Sequence, residues 1–142
     1  MIRKFETQDL DAVMQIWLHS NLDAHAFIPA SFWKAHFEMV RDMLPQAELY
    51  VHENEATRQI DGFIGLTENH IEGIFVAKAA RSKGIGKALL EYTKSRKPRL
   101  TLSVYQKNER ALAFYRREQF IVQSEGIDED TNEAEIQMLW TR

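Results

Sequence analysis

Three groupings of residues in this 142-residue chain have the types and spacing to do chemistry. The first is Arg81-Ser82-Lys83-Gly84-Ile85-Gly86, followed by Lys87. Glycines in a turn that opens a helix leave backbone N–H groups unblocked, and the helix dipole adds positive character there. Such a turn accepts a phosphate-bearing ligand. The N–H groups from Lys83 to Gly86 are the donors, Arg81 and Lys83 add charge, and a Cβ at either glycine would crowd the anion. The second grouping is Glu68, His70 and Glu72. His70 has the intrinsic pKa suited to accepting a proton near pH 7, and Glu72 can do so directly or through a water. Both also read as solvated strand residues. The third is His25, Phe27 and Ile28 with Trp33, aromatic and apolar residues in a connection of a kind that is normally polar.

These residues need elements to hold them. Ile74, Phe75 and Val76 read as the end of a strand over 70–77, and Ile85, Ala88, Leu89 and Tyr92 fall at the spacing of a helix with one buried face. Leu100, Leu102 and Val104 alternate with polar neighbours in a half-buried strand, and Asn108 is placed to cap a helix running to about Glu118. Upstream, Ile2 to Phe5 is a short strand. Leu10, Val13, Met14 and Trp17 form one face of a helix capped by Thr7 and ending near Ser20. Ser31 is placed to cap a second helix with the face Trp33, Phe37, Val40 and Leu44. Strands are expected over 48–52 and 60–66, and two more, 120–123 and 134–140, flank an acidic loop from Glu125 to Glu133. The order β-α-α-β-β-β-α-β-α-β-β describes a mixed α/β fold around a central sheet.

A lone Gly-x-Gly identifies little. The dinucleotide fingerprint requires a third glycine and a later acid, and the Gly-x-x-x-x-Gly-Lys loop is absent. Two segments together say more. Arg81-x-x-Gly84-x-Gly86 resembles the coenzyme-A pyrophosphate loop of the GCN5-related N-acetyltransferases. About two dozen residues on, Asn108 with Ala111, Phe114, Tyr115 and Phe120 resembles that family's Asn…Ala-x-x-Phe-Tyr segment. The resemblance implies a GNAT-like, mostly antiparallel sheet in which strands 70–77 and 100–105 are parallel and splay apart. It implies acetyl-CoA as co-substrate, its pantetheine arm lying against the backbone at Phe75 and Val76 and its pyrophosphate on residues Arg81 to Lys87, including Ser82 and Ile85. Asn108 either bonds that arm, caps its helix, or does both. Tyr115 takes the place of the family's general acid, which protonates the leaving thiolate. The base is His70 or Glu72, unless water chains serve instead. Glu68, His25, Phe27, Ile28 and Trp33 either border the acceptor pocket or, for the apolar ones, belong to the core. Three departures from the family pattern stand out: Ser82 and Gln119 where relatives often have glycine, and Lys78 where they often have proline.

Composition bounds the rest. With 44% hydrophobic and 27% charged residues the chain reads as one ordinary globular domain over residues 1–142. A net charge of −3 argues against a nucleic-acid partner. No apolar run approaches the roughly 20 residues of a membrane span, and no signal peptide is evident, so a cytoplasmic protein is expected. The absence of cysteine removes a thiolate nucleophile, so acetyl transfer must proceed by direct attack of an amine, on a protein or a small molecule, in a ternary complex. The five histidines lack the paired spacing of a metal site. The same fold could also serve as a non-catalytic acyl-CoA sensor, and either a monomer or a homodimer is compatible with the sequence.

Overall fold

A computed structural model describes all 142 residues, Met1 to Arg142. Seven strands, β1 (Ile2–Lys4), β2 (Glu48–Glu53), β3 (Ile60–Thr67), β4 (His70–Val76), β5 (Arg99–Tyr105), β6 (Ile121–Asp128) and β7 (Glu133–Thr141), form one sheet in the order β1-β2-β3-β4-β5-β7-β6. Four helices, α1 (Leu10–Ala24), α2 (Ala30–Met43), α3 (Ile85–Lys94) and α4 (Glu109–Arg117), flank it, with short 3-10 turns at Thr7–Asp9, Leu44–Gln46 and Lys78–Ala80. The expected order of elements holds throughout. All pairings are antiparallel except β4–β5, which is parallel and holds only at His70↔Thr101 and Ile71↔Leu102. Beyond Ile71 the two strands part, as a splay requires.

Two hydrophobic clusters sit on opposite faces of the sheet. Leu89 and Leu90 of α3, Tyr115 of α4 and Ile71, Leu102 and Met138 of the sheet make one. Val13, Met14 and Trp17 of α1, Trp33 of α2 and Leu49, Val51 and Phe63 make the other. Full burial of each such aliphatic side chain contributes roughly 1.5–3 kcal/mol. A bulge in β4 decides which β4 residue faces which cluster. Gly65 pairs with Gly73 but Leu66 with Ile71, leaving Glu72 as the extra residue. Ile71 and Ile74 therefore share the α3/α4 face, while Phe75 turns to the α1/α2 face and stacks on Phe63 at 5.0 Å.

Gly62 fixes the approach of α3 to the sheet. A Cβ there would come within 2.9 Å of the Ile85 side chain and 3.2 Å of the Phe75 carbonyl oxygen, so only glycine lets the first residue of α3 rest on β3.

Local boundaries differ from expectation in three places. α1 does not stop at Ser20 but continues to Ala24, because Leu22 extends the buried stripe one turn beyond Leu18. Residues Glu125 to Asp128 are not loop but the second half of β6, an exposed edge strand that pairs with β7 on one side only. The expected caps move as well. Glu6 precedes the first helical turn and donates its N–H to Asp9 Oδ2 at 2.8 Å, and Pro29, not Ser31, precedes α2. Asp9 is buried and held in a bidentate ion pair by Arg3 at 2.8 and 3.0 Å. That guanidinium holds the Asp9 carboxyl below the ordinary carboxylate range.

Candidate active site

A cleft of about 970 Å³ opens where β4 and β5 part, between the last turn of α1, the turn preceding α3, and α4. Its first wall is the glycine turn. Gly84 precedes α3 with φ 81° and ψ 9°, a left-handed conformation that glycine adopts without a Cβ penalty. A Cβ on Gly84 would meet nothing within 4 Å, so this glycine is required by its backbone angle rather than by crowding from the protein. Ile85, Gly86 and Lys87 follow as the first helical residues, whose N–H groups have no partner within the helix.

The three departures from the family pattern fall where the backbone explains them. Ser82 keeps a left-handed φ of 64° without being glycine. Lys78 is the first residue of a 3-10 turn, and the preceding Ala77 has φ −57° and ψ 140°, the conformation that also precedes proline. Gln119, at φ 75°, sits just past the end of α4. There the Phe120 N–H bonds the Tyr115 carbonyl at 3.0 Å and the Gln119 N–H bonds the Arg116 carbonyl at 3.1 Å. These two bonds define a Schellman closure, and the Phe120 ring packs edge-on against Tyr115 at 5.5 Å, the apolar contact that accompanies it. The helix end thus clamps the Tyr115 ring.

Tyr115 is buried and lines the cleft, and its phenol hydroxyl forms no hydrogen bond with any protein group. Burial pushes its phenol well above the usual value near 10, so at neutral pH it holds its proton. A protonated, unpartnered donor inside a cleft is suited to protonating a leaving group.

The opposite wall comes from α1. His25 follows its last turn, and its Nδ1 lies 3.0 Å from Asn21 Oδ1 while its Nε2 lies 3.1 Å from Asn108 Nδ2. Asn108 also caps α4, its Oδ1 accepting the Ala111 N–H at 3.2 Å. Burial lowers the His25 pKa to about 4. Arg81 does not simply add charge to the glycine turn: it donates to Asp23 at 2.5 Å and to the Val76 carbonyl at 3.3 Å. Lys107, Arg110 and Arg117 supply further positive charge along the cleft, which the carboxyl-bearing Asp23 and Glu118 also line.

The proposed residues therefore divide. Phe75, Val76, Arg81, Ser82, Gly84, Ile85, Gly86, Lys87, Asn108, Tyr115 and His25 all line the cleft. Lys83 is exposed and does not. Ile28 and Trp33 are not pocket walls: both are buried in the α1/α2 cluster, where the rings of Trp33 and Trp17 pack edge-on at 5.9 Å. Phe27 packs on Tyr105 beside His25, outside the cleft. Glu68 is exposed in the β3–β4 turn and does not reach the cleft.

His70 and Glu72 also lie off the cleft. His70 meets the Thr101 hydroxyl at 2.9 Å, and Glu72 is exposed at the bulge. Thr101 shares the α1/α2 face of β5 with Tyr105, so His70 and Tyr115 flank the splay from opposite faces of the sheet. On that face Glu135 of β7 has its carboxyl pushed up by burial and by Asp128. Sequence reading missed Glu135, Asn21 and Asp23. Glu135 fell inside the expected strand 134–140 with nothing in its spacing to single it out, and the other two lay beyond the expected end of α1.

No group of His, Asp and Glu side chains is gathered as a metal site would require. No helix is long and apolar enough to cross a membrane.

Known proteins share this architecture. Residues 45–122 match the family model described as an acetyltransferase (GNAT) domain. The chain is 38% identical over 122 residues to the peptidyl-lysine N-acetyltransferase YiaC of Escherichia coli (strain K12), covering 84% of this chain and 82% of that protein. It is 32% identical over 121 residues to the peptidyl-lysine N-acetyltransferase YjaB of the same strain, covering 85% and 82%. The solution structure of apo-form YjaB from Escherichia coli matches with a TM-score of 0.88 at 29% identity, over 99% of this chain and 96% of that one. A GCN5-related N-acetyltransferase structure from Rhodopseudomonas palustris, at 15% identity, shares the fold with a TM-score of 0.83 over 100% and 95% of the two chains. With the family model matching more than half of its length and with these relatives, the chain belongs to the GNAT family of acetyltransferases.

Proposed function

We propose that this protein transfers the acetyl group of acetyl-CoA to a primary amine, foremost a protein lysine side chain, by direct attack in a ternary complex. The observation that carries this reading is the coincidence in one cleft of free helix-start N–H groups, a parted strand pair and the unpartnered phenol of Tyr115. The residues fit the group. Gly84 to Lys87 offer donors for a diphosphate, and the edge of β4 freed beyond Ile71 offers backbone to an extended amide-bearing arm. Asn108 adds a side-chain donor there. Acetyl-CoA bound in this way supplies its acetyl group as an activated thioester.

The chain's residues then divide the work. A backbone N–H near Val76 stabilises negative charge developing on the carbonyl oxygen. Tyr115 gives its proton to the departing sulfur and is reset from solvent; its raised pKa favours the return of the proton. A lysine amine, protonated in water with a pKa of about 10.4, must lose a proton before attack. His70 on the opposite face is the group assigned to take it, with Glu72 and Glu135 as the nearby carboxylates. The peptidyl-lysine acceptors named for YiaC and YjaB support a protein lysine here.

Calorimetric titration with acetyl-CoA, followed by mass spectrometry of lysine peptides incubated with it, tests the reading. Micromolar binding and acetylated lysine are expected, and Tyr115→Phe should lower kcat by about 10²–10³ with acetyl-CoA affinity kept. Absence of binding would overturn the donor. Binding without turnover on any amine would make the protein a sensor, and unchanged turnover in Tyr115→Phe would remove the acid.

A further inference from the structure

Where α1 meets α4, the alternation of donors and acceptors is fixed by two backbone groups. At one end the Ala111 N–H can only donate, so the Asn108 atom 3.2 Å from it must be the oxygen. The Asn108 nitrogen then faces His25 Nε2 at 3.1 Å, and a ring nitrogen that receives an N–H bond carries no proton. At the other end the Trp17 carbonyl can only accept. It takes the Asn21 Nδ2 donor at 2.9 Å, which leaves Asn21 Oδ1 facing His25 Nδ1 at 3.0 Å. One form of the ring satisfies both sides: neutral, with its proton on Nδ1.

We propose that His25 is a positioning residue for the cofactor cleft, which as the Nδ1–H tautomer locks the Asn108 amide in one orientation and commits its remaining N–H to the carbonyl of an extended amide-bearing arm. The role toward the arm rests on the acetyl-CoA reading above; the locked tautomer does not. A proton added at Nε2 would oppose the Asn108 amide nitrogen. Turning that amide over would then set its N–H₂ against the Ala111 N–H and uncap the helix that carries Tyr115. Nothing around the ring favours the cation. α2 presents the uncharged Trp33, stacked on it at 5.5 Å. β5 presents Tyr105, whose hydroxyl donates to Asp128. Asp23 on α1 is engaged by Arg81, and Lys107 from the turn before α4 sits over the Phe27 ring. Burial accordingly lowers the His25 pKa.

The test begins with long-range ¹H–¹⁵N correlation spectra of the imidazole in ¹⁵N-labelled protein without any cofactor. His25 is expected as the Nδ1–H form, the minor tautomer of free histidine, with no titration between about pH 5.5 and 8. Asn108→Asp keeps an oxygen for the Ala111 N–H but puts a second one toward His25, so that both ring nitrogens face acceptors; the ring should then take up a second proton and titrate at higher pH than in the wild type. His25→Phe keeps the ring stack and removes both hydrogen bonds; it should raise the KM for acetyl-CoA about tenfold, a loss of one such bond to ligand. His25→Gln, which can donate to Asn21 and accept from Asn108, should restore most of the loss. A wild-type His25 that carries its proton on Nε2, or titrates as free histidine does, overturns the locked tautomer. The expected tautomer with an unchanged KM in His25→Phe overturns the positioning role. If acetyl-CoA fails to bind the wild type while the Nδ1–H signal is present, the cofactor reading has failed and the role toward its arm falls with it.

Discussion

The cleft has two rims, and they are made in opposite ways. The rim at α3 is one continuous segment, Arg81 to Lys87, and its working groups are backbone N–Hs set by the left-handed turn at Gly84. The rim at α1 and α4 joins residues 83 positions apart, His25 and Asn108, and its working groups are side chains that hold one another. A backbone rim tolerates change in most side chains but depends on a few φ values. A side-chain rim depends on each partner, because removing one leaves a buried polar group unpaired at a cost of roughly 1–3 kcal/mol. The Arg81–Asp23 ion pair ties the two rims together.

The largest expected effect breaks the backbone rim. Gly84→Glu places a β-carbon at a φ of 81° and a carboxylate beside the helix-start donors, so acetyl-CoA affinity should fall at least several hundredfold by calorimetry. Affinity within about threefold of wild type would show that the diphosphate does not sit there.

The second prediction tests the side-chain rim through pH. Unfolded His25 takes up a proton near pH 6.5, whereas folded His25 does so near 4. Between these values the unfolded state holds more protons, so this contribution is complete above about pH 6.5 and is lost as pH falls toward 4. Wild type should therefore lose up to roughly 3 kcal/mol relative to His25→Phe between pH 7 and pH 4, read by denaturant unfolding of both proteins. Parallel pH profiles would show that His25 is not held neutral.

A smaller effect concerns the tie between rims. Asp23 is a negative charge beside a site for an anion and occupies Arg81. Asp23→Asn should tighten acetyl-CoA binding about threefold, and more at low salt. Weaker binding would instead make the ion pair a strut that the rims need.

The smallest effect concerns two left-handed residues that are not glycine, Ser82 in the backbone rim and Gln119 just past the end of α4. Ser82→Gly and Gln119→Gly relieve left-handed strain of about 1 kcal/mol but loosen the unfolded chain, so each should stabilise by only about 0.5 kcal/mol, read as a rise in Tm. Destabilisation by either would mean that the side chain makes a contact worth more than the strain.

Legibility followed the same division as the rims. The glycine turn, the helix behind it and the Asn108 cap could be read because each depends on neighbours within a few residues. The ambiguity over His25, Phe27, Ile28 and Trp33 had a physical source: apolar side chains in a connection look alike whether they line a cleft or fill a core. The sheet separates them, burying Ile28 and Trp33 and leaving His25 at the cleft. Asn21 and Asp23 looked like loop residues because polar residues dominate there, whereas the half-buried Leu22 carries the helix past them. The pattern of strand 70–77 hid a bulge at Glu72, since a single extra residue leaves no mark in a short apolar run.

By itself, then, the sequence determined the order of elements, the glycine turn that opens α3, the cap of α4 and the family to which the chain belongs. These follow from local backbone preferences and from the periodicity of apolar residues, which act over a few positions. Only the tertiary structure decided that His25 reaches Asn108, that Asp23 occupies Arg81, and that His70 and Tyr115 approach the splay from opposite faces. Each of those depends on which segments the sheet brings side by side, and no spacing within a single segment encodes that.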